Sequence, residues 1–283
     1  MALRRALTIA ATTLVVAAVP LSLCPSVAAE PVVGPAAAVT APEGPAQAWL
    51  VADIDSGKIL AGKDPYGVHA PASTIKALLA MVVLDNLAPN AAVRATTAHT
   101  QVECSCVGLV PGQVYTARQL LDGLLMVSGN DAANLLGDML GGYRAAIARM
   151  TAKAASLGAR HTRAMSPSGL DGPGWETLTS PHDLALIYRA ALSYPIIAQI
   201  FRQPSAQFPD RGGYKTLTAQ NKLLTRYPGD LAGKTGYTDL AGDTFVTVAQ
   251  RDGRRLVAVL MKGDGPLWDQ AVGLLDWGFA QPR

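Results

Sequence analysis

The chain has 283 residues, 49% of them hydrophobic and 16% charged, with a formal net charge of +3. That composition excludes extensive disorder and supports a sizeable core, in one large domain or two modest ones. The charge falls to +1 (+3 less Arg4 and Arg5) if a leader is removed. This is too little for a nucleic-acid footprint, and no basic stripe with interleaved aromatics is present.

In chain order, residues 1–29 have the form of a secretory signal. Arg4 and Arg5 form a positive start, residues 6–19 an apolar stretch, and Val27-Ala28-Ala29 the small residues before a cut ahead of Glu30. This predicts a secreted, extracytoplasmic, cell-wall-associated protein, which contacts a membrane only if the leader is retained as an anchor. Residues 30–46, rich in Pro, Ala and Gly, read as a flexible spacer, leaving 47–283 as one folded domain. Residues 48–53 and 58–61 read as strands around an Asp55-Ser56-Gly57 turn. Residues 73–86 form a helix that stops before Pro89, and a capping box at Thr116-Ala117-Arg118-Gln119 opens the next. Asp131 is expected to cap a third helix ending at Gly141-Gly142, followed by one over 143–157 that closes on Gly158. Ser180-Pro181 starts another, through 191. Strands return at 214–217, 233–236, 244–250 and 255–261, and an amphipathic helix at 267–279 ends the chain. Strands at both ends with helices between predict an α+β fold, an antiparallel sheet built from both chain ends with an inserted helical subdomain at about 70–205.

Cys104 and Cys106 suit a local disulfide in an oxidising compartment. The alternative is a partial metal site with His99, for which no fourth ligand has convincing spacing.

Three short motifs carry chemistry: Ser73-Thr74-Ile75-Lys76, Ser128-Gly129-Asn130 and Lys234-Thr235-Gly236. Residues three apart on a helix share a face, so the Lys76 amine can lie beside the Ser73 hydroxyl. A serine needs a base to become nucleophilic, and neither a histidine nor a G-x-S-x-G elbow is placed to supply one. Lys76 can act only when neutral, which requires burial and a second cation such as Lys234 to lower its pKa. Ser128 can relay a proton to a leaving nitrogen, and the Asn130 amide can hold a substrate amide. Lys234 and Thr235 offer a cation and a hydroxyl to a carboxylate, and Gly236 lets substrate approach the strand closely. The backbone N–H of Tyr237 is expected to pair with that of Ser73 as an oxyanion hole.

These residues resemble the low-molecular-mass penicillin-binding proteins, the serine D-Ala-D-Ala carboxypeptidase family (peptidase family S11). Ser168-Gly169-Leu170, Gln220-Asn221-Lys222-Leu223-Leu224, Tyr237-Thr238 and Ala241-Gly242 extend the likeness. The resemblance implies a serine β-lactamase/penicillin-binding-protein-like fold. It also implies removal of the terminal D-alanine from peptidoglycan stem peptides through an acyl-enzyme on Ser73, with β-lactam antibiotics as inhibitors. Lys76 would be the base, Ser128 the relay and Lys234 the carboxylate-binding cation, without metal or cofactor. Ile75 departs from the threonine that many relatives carry before the motif lysine, and the C-terminal β-domain and amphipathic anchor of some relatives are not expected. Endopeptidase action on cross-links is one alternative. A class A β-lactamase is another, but Glu176 is followed by Thr177-Leu178-Thr179 rather than the pattern such enzymes use for deacylation. A penicillin sensor lacks its usual transmembrane segments here.

Overall fold

A computed structural model describes residues 40–283. The leader over 1–29, and the spacer as far as residue 39, lie outside the described residues. Two neighbouring strands, β1 (Ala46–Asp53) and β2 (Ile59–Lys63), are joined by a tight turn in which the Asp53 carboxylate accepts the Ser56 N–H at 2.9 Å. Three long strands from the chain's other end, β7 (Asp230–Thr238), β8 (Gly242–Arg251) and β9 (Arg254–Gly263), complete an antiparallel sheet. Its order is β2-β1-β9-β8-β7, so β9 joins the two ends and β7 is an edge. The smaller strands β3 (Ala92–Arg94) and β4 (Val114–Thr116) pair with each other, as do β5 (Ser205–Asp210) and β6 (Gly213–Thr218). The segment expected as a strand at 214–217 therefore belongs to a separate hairpin and not to the main sheet.

Alternation along the strands splits the core into two layers. Leu50, Ala52, Val257, Val259 and Met261 face the helices, whereas Trp49, Val51, Leu256, Ala258 and Leu260 face a C-terminal helix, α9 (Trp268–Ala280). Residues 41–46 are docked on this second layer rather than free. Ala41 packs against it, the Ala46 N–H donates to Gln270 Oε1 at 2.9 Å, and Ala46 opens β1 opposite Gly263. The expected spacer thus ends earlier than residue 46.

On the other face lie α1 (Lys76–Asn86), α3 (Ala117–Met126), α4 (Asn130–Met139), α5 (Tyr143–Ser156), α6 (Pro181–Ala191) and α7 (Pro195–Arg202), with short turns α2 (Thr97–Thr100) and α8 (Leu223–Arg226) at the margins. Residues 76–83 of α1 are buried all round, which makes it the central helix. The expected helix over 73–86 is two elements: a 3₁₀ turn, Ala72–Ile75, precedes α1. Thr116 forms its capping box with Gln119, and the Ser180 hydroxyl accepts the Asp183 N–H at 3.1 Å with Pro181 behind it. Asp131 does not cap α4, whose first residue is Asn130 with Gly129 before it.

Loss of the Ser180 cap should be measurable without touching the site. Ser180→Ala is expected to lower unfolding stability by about 1 kcal/mol, seen as a lower urea midpoint at unchanged slope. An unchanged midpoint would mean the cap contributes nothing.

Candidate active site

Three segments distant in sequence meet at the end of α1. The first is the 3₁₀ turn carrying Ser73. Thr244 of β8 donates its hydroxyl to Pro71 O at 2.9 Å, Thr74 to the same oxygen at 2.7 Å, and buried Tyr188 of α6 to Thr74 O at 3.0 Å. Ala72 adopts φ 48°, and its carbonyl oxygen would lie 2.0 Å from a Cβ on Gly169, so only glycine fits there. Ser73 is thereby fixed just before the first α-helical turn. One helical step later, Lys76 Nζ lies 2.7 Å from Ser73 Oγ.

The second segment is the α3–α4 connection. Ser128 takes the left-handed conformation, φ 62°, which is uncommon without a glycine. That conformation turns both its oxygens onto the same amine, the carbonyl at 2.8 Å and Oγ at 3.2 Å. Asn130 Oδ1 stands 2.5 Å from Nζ. The amide NH₂ of Asn130 donates to Glu103 O at 2.7 Å, and its backbone N–H to Ser105 O at 2.6 Å. The Asn130 side chain is thus anchored at both ends and holds Lys76 in place, while its amide lines the cleft with a second N–H to offer.

The third segment is β7. Gly236 runs against the Ser73 turn: a Cβ there would sit 2.6 Å from both Ser73 N and Thr244 Oγ1. Lys234 is fully buried and donates to Thr235 O at 2.6 Å. Ser73, Ser128, Asn130, Thr235, Gly236 and Tyr237 line one cleft of about 400 Å³. Lys76 and Lys234 lie behind its wall, an arrangement that spacing along a strand does not reveal.

The electrostatics follow from burial. Desolvation holds the Lys76 pKa well below the ordinary lysine value; the nearby Lys234 charge lowers it further and Asp131 opposes. Burial alone pushes Lys234 down to about 7. The neighbours of Lys76 fit a neutral amine: its two N–H groups match the two acceptor-only oxygens, Ser128 O and Asn130 Oδ1. The lone pair is left for a hydroxyl proton, and Ser73 is the nearer hydroxyl. Such an arrangement can deprotonate a serine.

Several groups beyond the motifs contribute. Cys104 and Cys106 form the expected local disulfide, so neither sulfur serves a metal with His99; that ring instead accepts the Thr96 N–H on Nδ1 and faces Asp138 through Nε2. The bridge flanks Ser105 in the loop whose carbonyls hold Asn130. The Asp131 carboxylate, read in the sequence as a helix cap, gathers the N–H groups of Val107, Gly108 and Leu109 at 2.8, 2.8 and 2.9 Å. Leu170 and Gln220, from the two outlying motifs, also line the cleft. Gln220 braces the Ser128 turn through its backbone N–H to Met126 O at 2.9 Å and its amide to Val127 O at 3.2 Å. Glu176 is absent from the cleft lining. It borders an adjoining depression, and its carboxylate accepts the Gly174 N–H at 2.9 Å.

A family model described as D-alanyl-D-alanine carboxypeptidase matches residues 35–265. The chain belongs to this family. It is 57% identical to D-alanyl-D-alanine carboxypeptidase DacB2 of Mycobacterium tuberculosis, over 88% of this chain and 87% of that protein. A crystal structure of a D-alanyl-D-alanine carboxypeptidase from M. tuberculosis H37Rv superposes with a TM-score of 0.85 at 56% identity, covering 88% of this chain and 97% of the other. The Streptomyces K15 DD-transpeptidase superposes at 0.81 with 27% identity, covering 86% and 100%. The α+β fold expected from the motifs is that of these proteins, and as a member of the family the chain is a serine-type hydrolase, a D-Ala-D-Ala carboxypeptidase.

The cystine loop is expected to matter to the chemistry through Asn130. A Cys104→Ser/Cys106→Ser variant should acylate with penicillin about tenfold more slowly, since small misplacements of catalytic groups carry large rate costs. Its cooperative thermal unfolding should persist. An unchanged acylation rate would remove the bridge from the positioning of Lys76.

Proposed function

We propose that Ser73 is the nucleophile and neutral Lys76 its base in release of the terminal D-alanine from peptidoglycan stem peptides. The observation that supports this most is the buried amine 2.7 Å from the Ser73 hydroxyl, at the wall of an open cleft. Ser73 Oγ attacks the carbonyl carbon of the penultimate D-Ala as its proton passes to Lys76. The amide C–N bond then breaks, and the departing nitrogen receives that proton through the Ser128 hydroxyl, 3.2 Å from Nζ. Water hydrolyses the resulting ester with Lys76 again taking a proton. The N–H groups of Ser73 and Tyr237 stabilise the developing oxyanion, in keeping with the close approach that Gly236 permits. Thr235 on the cleft wall and the cation of Lys234 behind it receive the terminal carboxylate. A β-lactam enters the same path and acylates Ser73.

The same reading places the protein outside the cytoplasm, at the cell wall. It rests on the signal-like residues 1–29 and on the Cys104–Cys106 bridge, which belongs in an oxidising compartment.

Ser73→Ala is expected to abolish both penicillin labelling and D-alanine release from a pentapeptide ending in D-Ala-D-Ala. Full labelling of that variant would place the nucleophile elsewhere. The carboxylate role of Lys234 carries its own pH signature. An amine with a pKa of about 7 is charged below that value and neutral above it. Free-enzyme kcat/KM should therefore fall as pH rises through this region, chiefly through KM. Lys234→Arg should move that limb upward, because a guanidinium keeps its proton, and Lys234→Ala should raise KM and remove the limb. Identical pH profiles for the three proteins would take Lys234 out of substrate binding.

A further inference from the structure

Beside the catalytic cleft lies a groove of about 450 Å³ that the chemistry above does not use. Leu170 lines both, so the two depressions share a wall. The groove runs between the ends of α2 and α4, the start of α5 and the loop after Ser166. Its size is that of an ordinary small-molecule site.

Its chemistry is selective. Two aromatic rings border it, Tyr143 and Trp175, 47% and 40% exposed. Both are held: the Tyr143 hydroxyl donates to Met165 O at 2.8 Å, and the Trp175 indole lies over Gly172, where a Cβ would come within 2.4 Å of Nε1. Asn134, Asp138 and His99 supply polar atoms among them. The Nδ1 of His99 accepts the Thr96 N–H at 2.9 Å, so the ring proton sits on Nε2, 3.2 Å from the Asp138 carboxylate. No lysine or arginine lines the groove. A phosphate or another anion has no partner there, while a neutral ring with one apolar face and a rim of hydroxyl and amide groups matches both aromatic planes and polar rim.

We propose that this groove binds the N-acetylated hexosamine to which the stem peptide is attached, so that the protein reads sugar and peptide together. The inference rests on the D-alanine-releasing reading of the cleft. Continuity with the cleft supplies the occupant: an extended stem advances about 3.4 Å per residue. In a pentapeptide four residues separate the scissile bond from the sugar, which therefore lies about 14 Å beyond it, in an adjoining depression rather than in the cleft.

The test compares a free pentapeptide ending in D-Ala-D-Ala with the same peptide joined to its N-acetylglucosamine–N-acetylmuramic acid disaccharide. D-alanine release is followed for the full chain, for Trp175→Ala and for Trp175→Phe. The wild-type chain should favour the disaccharide substrate by about five- to tenfold in kcat/KM, the range that one or two aromatic contacts supply. Trp175→Ala should lose that preference through KM, with free-peptide kinetics unchanged, and Trp175→Phe should keep most of it. Equal kcat/KM for the two substrates in the wild-type chain, or a preference retained in Trp175→Ala, overturns the proposal. Absence of D-alanine release from either substrate would instead refute the reading of the cleft. In that event, titration of the disaccharide, its lactyl carboxyl capped as the amide, against tryptophan fluorescence decides for the groove: saturable quenching that Trp175→Phe removes supports it, and no quenching overturns it.

Discussion

The structure turns on a lysine amine taken out of water without a carboxylate against it. The contacts of Lys76 are two carbonyl-type oxygens and two hydroxyls. An ammonium in that setting loses its hydration and is repelled by the nearby cation of Lys234; the dipoles around it and the smaller attraction of Asp131 offset this only in part. The neutral form is therefore favoured, and its lone pair points to the one group whose proton needs removing. Lys234, pushed to about 7 by burial alone, is left as the charge that an incoming carboxylate can meet.

Holding that arrangement is the work of the whole fold. Lys76 sits on the central helix, with Ser128 and Asn130 more than fifty residues away in sequence and β7 further still. Each piece is over-determined. The Ser73 turn is tied to β8 and α6, and the left-handed Ser128 is braced from Gln220. Asn130 is tied to a cystine loop that Asp131 clamps through three N–H groups. The unusual conformations at Ala72 and Ser128 lie within a few ångströms of the reactive hydroxyl. Backbone strain of this kind persists where the surroundings leave no alternative and tends to accompany function.

Much of this was legible in the sequence, for identifiable reasons. The strands at both ends read as continuous apolar runs because each face of the sheet has its own core, and Thr116 and Ser180 announce their helices by capping chemistry. The turns at Thr97–Thr100 and Leu223–Arg226 are too short to show a period. Pro195–Arg202 carries a proline at its start and Ile197, Ile200 and Phe201 on its buried face, a signal obscured by its closeness to α6. Pro209 disguises β5, which tolerates it as one strand of a two-stranded hairpin. In the site, the motifs identified which side chains matter but not how they divide the labour. The hold of Asn130 on Lys76 was hidden because the groups that anchor it, the carbonyls of Glu103 and Ser105, carry no side-chain signature. Asp131 looked like a cap because local pattern cannot show a loop more than twenty residues upstream folding back onto it. Only the packing puts Lys234 behind the wall.

The protonation state of Lys76 can be read directly. In protein carrying ¹³Cε-labelled lysine, signals followed across pH and assigned with a Lys76→Arg variant report each amine's titration. The expected result is a Lys76 signal that titrates well below the ordinary lysine value of about 10.4. A Lys76 signal that titrates with the surface lysines would show a charged amine beside Ser73 and contradict its role as the base.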